Sequence, residues 1–416
     1  MRQTRVSAPR CLRRLAEVLS IVPSHDKIRC LRSSQTRALI AACAVGFAFS
    51  TNYTNHAPLA AALASAFGIN LAQVGLLTTA IFLTHACMQI PGGHLADRIG
   101  PRIVISIAAA TVCLGNIALG FATAYWQLLF CKAFIGLGTG AGFVAGARYI
   151  ATVFTGSQLP VAQGLYGASN LLGSGFVIFA VPILFAEFGW ESAFFAAALL
   201  TAAALPIWLT APHPEALDLN PAPFADMLGN SQLWLLGLAQ LASFGLAIVV
   251  GAWITTYLTK SFDLPLKTAG RIGSLVLLMG IASRPLGGSV LARRGAKFTL
   301  QVSMAMNTVA CLILGLGGKS LAMAAMAVLL LGIGGGLPYA TVFNRAATLY
   351  PGRPGAAMGL VNAIGTSMIL AGPPLIGQMV EWSGNFQSSF LALGAFTMVA
   401  WIAMFAIHRH EPDRSV

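Results

Sequence analysis

The chain has 416 residues, of which 57% are hydrophobic and 9% charged, against roughly 25% charged in an average soluble domain. That balance excludes an ordinary water-soluble enzyme and a disordered chain. It also excludes a nucleic-acid binder, because the net charge of +13 is spread between long apolar stretches, whereas phosphate recognition needs Lys and Arg clustered on one wet face. Crossing a hydrocarbon core takes about 20 apolar residues per helix, so the composition reads as an all-α membrane protein of about twelve spans.

In chain order, residues 1–37 form a basic segment with nine Lys and Arg against Glu17 and Asp26. It lacks a long apolar core ahead of a small-residue cleavage site, so a cytoplasmic tail touching anionic headgroups is expected rather than a secretory signal. Its Arg-rich, acid-poor make-up leaves a transit peptide open as the alternative. Apolar runs then predict spans near 38–66, 73–93, 103–122, 126–150, 160–184 and 190–211. A second six are expected near 232–257, 271–292, 298–317, 320–345, 355–380 and 387–408. Between the sets, residues 212–231 contain Pro212, Pro214, Pro221 and Pro223, which argue against helix continuation. The expected organisation is thus a tail (1–37), a six-helix bundle (38–211), a cytoplasmic linker (212–231), a second bundle (232–408) and a short cytoplasmic tail (409–416). Cys43, Cys87, Cys113, Cys131 and Cys311 lie inside apolar runs and are expected to pack as small hydrophobes. No spacing suggests a metal site, and neither a cofactor nor an enzymatic reaction is expected.

Orientation follows from Lys and Arg outside the spans. With the N-terminus inside, 19 fall on inner segments and four (Lys260, Lys267, Arg271 and Lys319) on outer ones. Both ends are therefore expected in the cytoplasm, and a bacterial inner membrane is the expected location.

An internal repeat is the strongest signal. A shift of 195 residues lays Pro91-Gly92-Gly93-His94-Leu95-Ala96-Asp97-Arg98-Ile99-Gly100-Pro101-Arg102 over Leu286-Gly287-Gly288-Ser289-Val290-Leu291-Ala292-Arg293-Arg294-Gly295-Ala296-Lys297. Gly92, Gly93, Arg98 and Gly100 recur identically, and Arg102 recurs as Lys297. The same shift lays Gly164-Leu165 over Gly359-Leu360. Duplicated halves of six helices are a known plan for carriers that rock around a midplane site.

The segment Gly93–Arg102 resembles the signature of the major facilitator superfamily, G-x-L-x-D-R-x-G-x-R, and the resemblance extends over residues 38–408. A softer match is Lys132-Ala133-Phe134-Ile135-Gly136-Leu137-Gly138-Thr139-Gly140, where the family usually has Arg in place of Lys132. The resemblance implies two pseudo-symmetric six-helix bundles and secondary transport. It also implies a conformational latch at Gly93, Asp97, Arg98, Gly100 and Arg102 that closes the two halves on the cytoplasmic side. In the second half Ala292 replaces the carboxylate, so the corresponding latch is expected to be weaker.

Ionisable groups at membrane depth are functional candidates by default. None of the 12 Asp and Glu falls in the centre of a predicted span. The ionisable side chains left inside are His56, His85, Lys132 and Arg284, a cationic excess that calls for a negative guest. Arg284 is the leading candidate, since a guanidinium stays charged and can hold an oxyanion bidentately; a structural Arg bonded to carbonyls freed around Pro285 is the alternative. Its counterpart across the repeat is Gln89, with His85 one turn away. Asn52, Tyr53, Asn55 and His56 share one region of the first span, with Pro58 expected to bend it. Asn170, Tyr339 and Asn362 complete the candidate substrate contacts, and His56 and His85 could also carry a coupling proton. Ser283–Gly288 is similar to the nitrate/nitrite porters of the superfamily, which have Arg where this chain has Gln89. A cyanate-like or small carboxylate anion is therefore as easily accommodated as nitrate. The expectation is a monomeric carrier of a small inorganic or organic anion, surrounded by lipid. Efflux of amphipathic compounds and a transporter-like receptor are the alternatives.

Overall fold

In hydrocarbon every backbone N–H and C=O must find its partner within the protein, which favours continuous helices. The computed structural model describes residues 33–154, 158–212, 225–318, 320–350 and 354–407. Most of the N-terminal tail, most of the linker and the final tail lie outside the described residues.

The regular structure among them is helical. The rods are α1 (Ser33–Thr54, resuming as Ala60–Phe67), α2 (Leu71–Ile99), α3 (Pro101–Gly120), α4 (Tyr125–Val153), α5 (Gln158–Phe188) and α6 (Ser192–Leu209). They continue with α7 (Ser231–Gln240 and Leu246–Phe262), α8 (266–294), α9 (296–316), α10 (Leu321–Gly336 and Tyr339–Leu349), α11 (Pro354–Ser383) and α12 (Gln387–Ala403). Eleven of these, α2 to α12, are long and apolar enough to cross a membrane. The chain is an integral, multi-pass membrane protein.

The departures from straight rods have local causes. Pro58 cannot donate to the helix ladder, and α1 tightens there into a 3₁₀ turn, Ala57–Leu59. In α7 a π turn, Leu241–Gly245, replaces the expected uninterrupted helix. Asn307 of α9 donates to the Ala242 carbonyl at 2.9 Å inside that turn. Between α8 and α9 the expected loop collapses to one residue, Gly295, with φ 80° and ψ 172°.

The duplication is visible in the backbone. Three pairs of residues in the left-handed half of φ space stand 195 positions apart: Gly68 and Asp263, Gly100 and Gly295, Gly189 and Gly384. Gly92 lets α2 lie against Ala141 of α4, and Gly287 lets α8 lie against the Leu337 carbonyl of α10. Arg102 donates to the Leu209 carbonyl at 2.8 Å, tying the start of α3 to the end of α6. Lys297 donates to the Phe405 carbonyl at 2.6 Å, tying α9 to the chain just after α12. Each repeat thus uses its last motif cation to satisfy carbonyls left open at a helix C-terminus.

The halves meet along two seams, α2 with α11 and α5 with α8. On the face opposite the linker both seams are shut. The Leu71 amide at the start of α2 donates to Glu381 Oε1 of α11 at 2.9 Å, and Lys267 of α8 pairs with Glu187 of α5 at 3.2 Å. Deeper in, α5 and α8 stay in contact at Pro182 with Gly270, Gly175 with Leu278 and Leu171 with Gly280.

Candidate functional site in the seam between the halves

The α5–α8 seam leads down to Arg284. Its position is set by tight packing of α8 on α10: Ser283 donates to the Gly332 carbonyl at 3.2 Å, and Gly336 leaves no room for a side chain beside Ser283. The bend at Pro338 then starts the second part of α10 at Tyr339. The Arg284 guanidinium lies 3.9 Å from the centre of the Tyr339 ring, within cation–π range. From the other half, Gly167 of α5 faces this pair: a Cβ there would come 2.6 Å from the Tyr339 hydroxyl and 2.9 Å from Arg284 Nη1.

Arg284 Nε and Nη1 are buried and have no hydrogen-bond partner among the described residues. A guanidinium can make five such bonds, and leaving buried donors unused is costly. The expected alternative, an Arg occupied by carbonyls around Pro285, does not account for those two nitrogens.

A row of rings leads from this point into the N-terminal half. Tyr166, next to Gly167, stacks on Phe143 at 5.9 Å, and Phe143 lies 5.9 Å from His85. His85 meets Tyr53 edge-on at 5.4 Å and Phe82 at 5.8 Å. His85 Nδ1 is 3.1 Å from Thr139 Oγ1, whereas the Tyr53 hydroxyl is buried without a partner among the described residues. Phe82 and Phe143 were missed in the sequence, where an aromatic residue in an apolar span carries no mark of which way it faces.

The other candidates lie elsewhere. Lys132 is fully buried and donates to the Asn52 carbonyl at 3.0 Å and to Asn55 Oδ1 at 2.6 Å. Asn52 Oδ1 in turn accepts from Asn116 at 2.6 Å, so Lys132 and Asn52 join α1, α3 and α4 within one half. His56 Nε2 is 2.9 Å from Thr78 Oγ1 on α2. Gln89 is half-buried with Nε2 unpartnered. Asn170 donates to the Tyr166 carbonyl at 2.8 Å, and Asn362 accepts weakly from Gln240, next to the π turn, at 3.5 Å.

Of the expected latch, Arg98 is exposed and Gly100 makes the turn, while Gly93 sits against Val144 of α4. The Asp97 side chain lies outside the described residues.

A family description, Major Facilitator Superfamily, matches residues 42–373. The chain belongs to the Major Facilitator Superfamily. It is a transporter of that superfamily by descent, with the two-bundle fold. It is 25% identical over 372 residues to the "Probable nitrate/nitrite antiporter NarK1" of Thermus thermophilus, covering 81% of this chain and 84% of the relative. It is 23% identical to the "Nitrite extrusion protein" of Bacillus subtilis (79% and 85% covered). It is 24% identical to the "Probable sulfoacetate transporter SauU" of Cupriavidus necator (82% and 86% covered). Among solved structures, an inward-facing, occupied bacterial homologue of the human lysosomal transporter Spinster superposes with a TM-score of 0.76. That pair is 17% identical, with 90% of this chain and 97% of the other covered.

Proposed function

We propose that this superfamily member carries a small anion across the membrane by alternating access, with Arg284 as the residue that holds the anion. The observation that carries the reading is a guanidinium at the seam of two halves, oriented by Tyr339, with two buried nitrogens that have no partner among the described residues. An anion entering the seam would complete those hydrogen bonds, and it would do so where both halves can touch it. Relatives named for nitrate, nitrite and sulfoacetate support a negatively charged substrate. In this reading the termini face the cytoplasm, the side opposite the linker is closed here, and the loop at 97–102 latches the linker side when the halves rock back.

The test is uptake of nitrate, nitrite and small carboxylates by proteoliposomes carrying wild-type, Arg284→Ala or Arg284→Lys protein. Removing the charged partner of a buried ion pair costs about 2–5 kcal/mol, so apparent affinity in Arg284→Ala should fall by about 30-fold or more. Lysine should restore only part of it, because an ammonium lacks the planar fork. Anion uptake at unchanged affinity in Arg284→Ala would sink the assignment.

A further inference from the structure

Two consecutive prolines, Pro373 and Pro374, stand inside α11. Neither has an N–H, so the Ile369 and Leu370 carbonyls, four residues earlier, lose their helix donors. At membrane depth such a carbonyl must find its partner within the protein. Leu370 finds it in the other half: the Thr79 hydroxyl of α2 donates to its carbonyl oxygen. Thr79 lies one turn deeper than Gly75, which packs on the Pro373 carbonyl, and two turns deeper than the Leu71–Glu381 contact at the helix ends.

A threonine inside a helix ordinarily returns its hydroxyl to a carbonyl of its own helix three or four residues back, as Thr308 does to Met304 and Thr397 to Leu393. Ser274, 195 positions on from Thr79, does the same, donating to the Arg271 carbonyl at 2.9 Å. The repeat therefore does not carry the Thr79 bond over to the α5–α8 seam at this position. The neighbouring Pro373 carbonyl accepts from Trp253 of α7 at 3.0 Å, but α7 and α11 belong to the same half and move together. Of these two bonds, the one from Thr79 crosses the seam and has to break when the halves part on this face.

We propose that Thr79 and Pro374 form a conformational catch: the proline opens the Leu370 carbonyl, and the threonine satisfies it only while the face opposite the linker is shut. On opening, that oxygen loses its donor and its own helix has none to give, so the shut state is favoured beyond what packing provides. Water entering the opened seam offsets part of the loss, which brings the bias down to that of an ordinary exchanged hydrogen bond. The catch rests on the halves parting at this face and not on the identity of the substrate.

The test is the distance between spin labels at Phe188 and Trp382, exposed positions at the ends of α5 and α11 in different halves. It is measured by pulsed electron resonance on full-length protein in nanodiscs, with the native cysteines replaced. Thr79→Val removes the hydroxyl at nearly the same shape and should raise the ratio of long to short distances by about 2- to 10-fold. Thr79→Ser keeps the donor and should stay near the wild-type ratio. Pro374→Ala gives Leu370 a donor in its own helix, so Thr79→Val in that background should leave the ratio nearly unchanged. An equal rise from Thr79→Val in both backgrounds, or a serine variant that matches the valine one, makes Thr79 a packing residue and overturns the catch. Should Pro374→Ala fail to fold, the serine and valine variants decide the matter. A long-distance population that Thr79→Val does not enlarge overturns the catch and leaves alternating access standing. A single short distance in every variant, with or without nitrate, overturns both.

Discussion

Lys132 and Arg284 are both basic residues at membrane depth with no carboxylate beside them among the described residues, yet the fold treats them differently. Lys132 ends on two oxygens of α1 and sits 5.6 Å from the centre of the Phe194 ring, so its charge is spread over neutral acceptors within one half. Arg284 keeps two donors unpaired at the seam. Lys132→Met should therefore act on stability: it leaves the Asn55 side-chain oxygen and the Asn52 carbonyl unpaired, at a cost of about 1–3 kcal/mol. Anion affinity should stay within about twofold of wild type. Melting and anion titration of the same sample check this, and a tenfold affinity loss at unchanged melting temperature would place Lys132 in the transport path instead. In the sequence the two residues look alike, because a linear chain displays depth but not partners. What was legible was that α1 carries Asn52 and Asn55 one turn apart; that they turn toward α3 and α4 depends on packing.

At the scale of the element, the glycine-marked repeat was readable because it is local: Gly100 and Gly295 both turn the chain at positive φ, where a side chain would be strained. The π turn of α7 was not readable, since nothing in Leu241–Gly245 breaks a helix, and the Asn307 side chain that bonds within it is remote in sequence. The repeat's glycines also differ in what they do, and the contacts sort them. A methyl on Gly92 would come 2.7 Å from the Ala141 Cα, and one on Gly287 would strike the Leu337 carbonyl. Gly164 and Gly359, which the same shift pairs, have open space around them. Gly92→Ala and Gly287→Ala should each cost about 1–3 kcal/mol by forcing helices apart. Gly164→Ala and Gly359→Ala should be neutral or slightly stabilising, since alanine favours a helix over glycine by up to about 1 kcal/mol. Four melting curves compare them, and equal effects at all four sites would contradict the packing account.

At the scale of the whole molecule, the many-span helical plan could be read from the apolar runs, but the state of the seam could not, because charges at helix ends look alike whether they fix topology or join the halves. The structure separates these roles. Glu187 and Glu381 are partners across the repeat to within one residue, and each reaches over its seam to the start of the facing helix, Glu187 to Lys267 of α8 and Glu381 to the Leu71 amide of α2. A carboxylate at a helix N-terminus is favoured by the open amides and the dipole there. The Lys267–Glu187 pair is largely exposed, so on its own it is worth little; what holds that face shut is the close contact below it, where Gly75 lies on Pro373 and Gly270 on Pro182. If transport requires these helix ends to part, tying them together must stop it. In a background with the native cysteines replaced, Glu187→Cys with Lys267→Cys should form a cross-link with a short bifunctional thiol reagent in proteoliposomes. Uptake should then fall in proportion to the fraction cross-linked, while each single variant treated identically keeps its rate. Full cross-linking with undiminished uptake would mean that the substrate passes without the halves separating here, and alternating access through this seam would have to be abandoned.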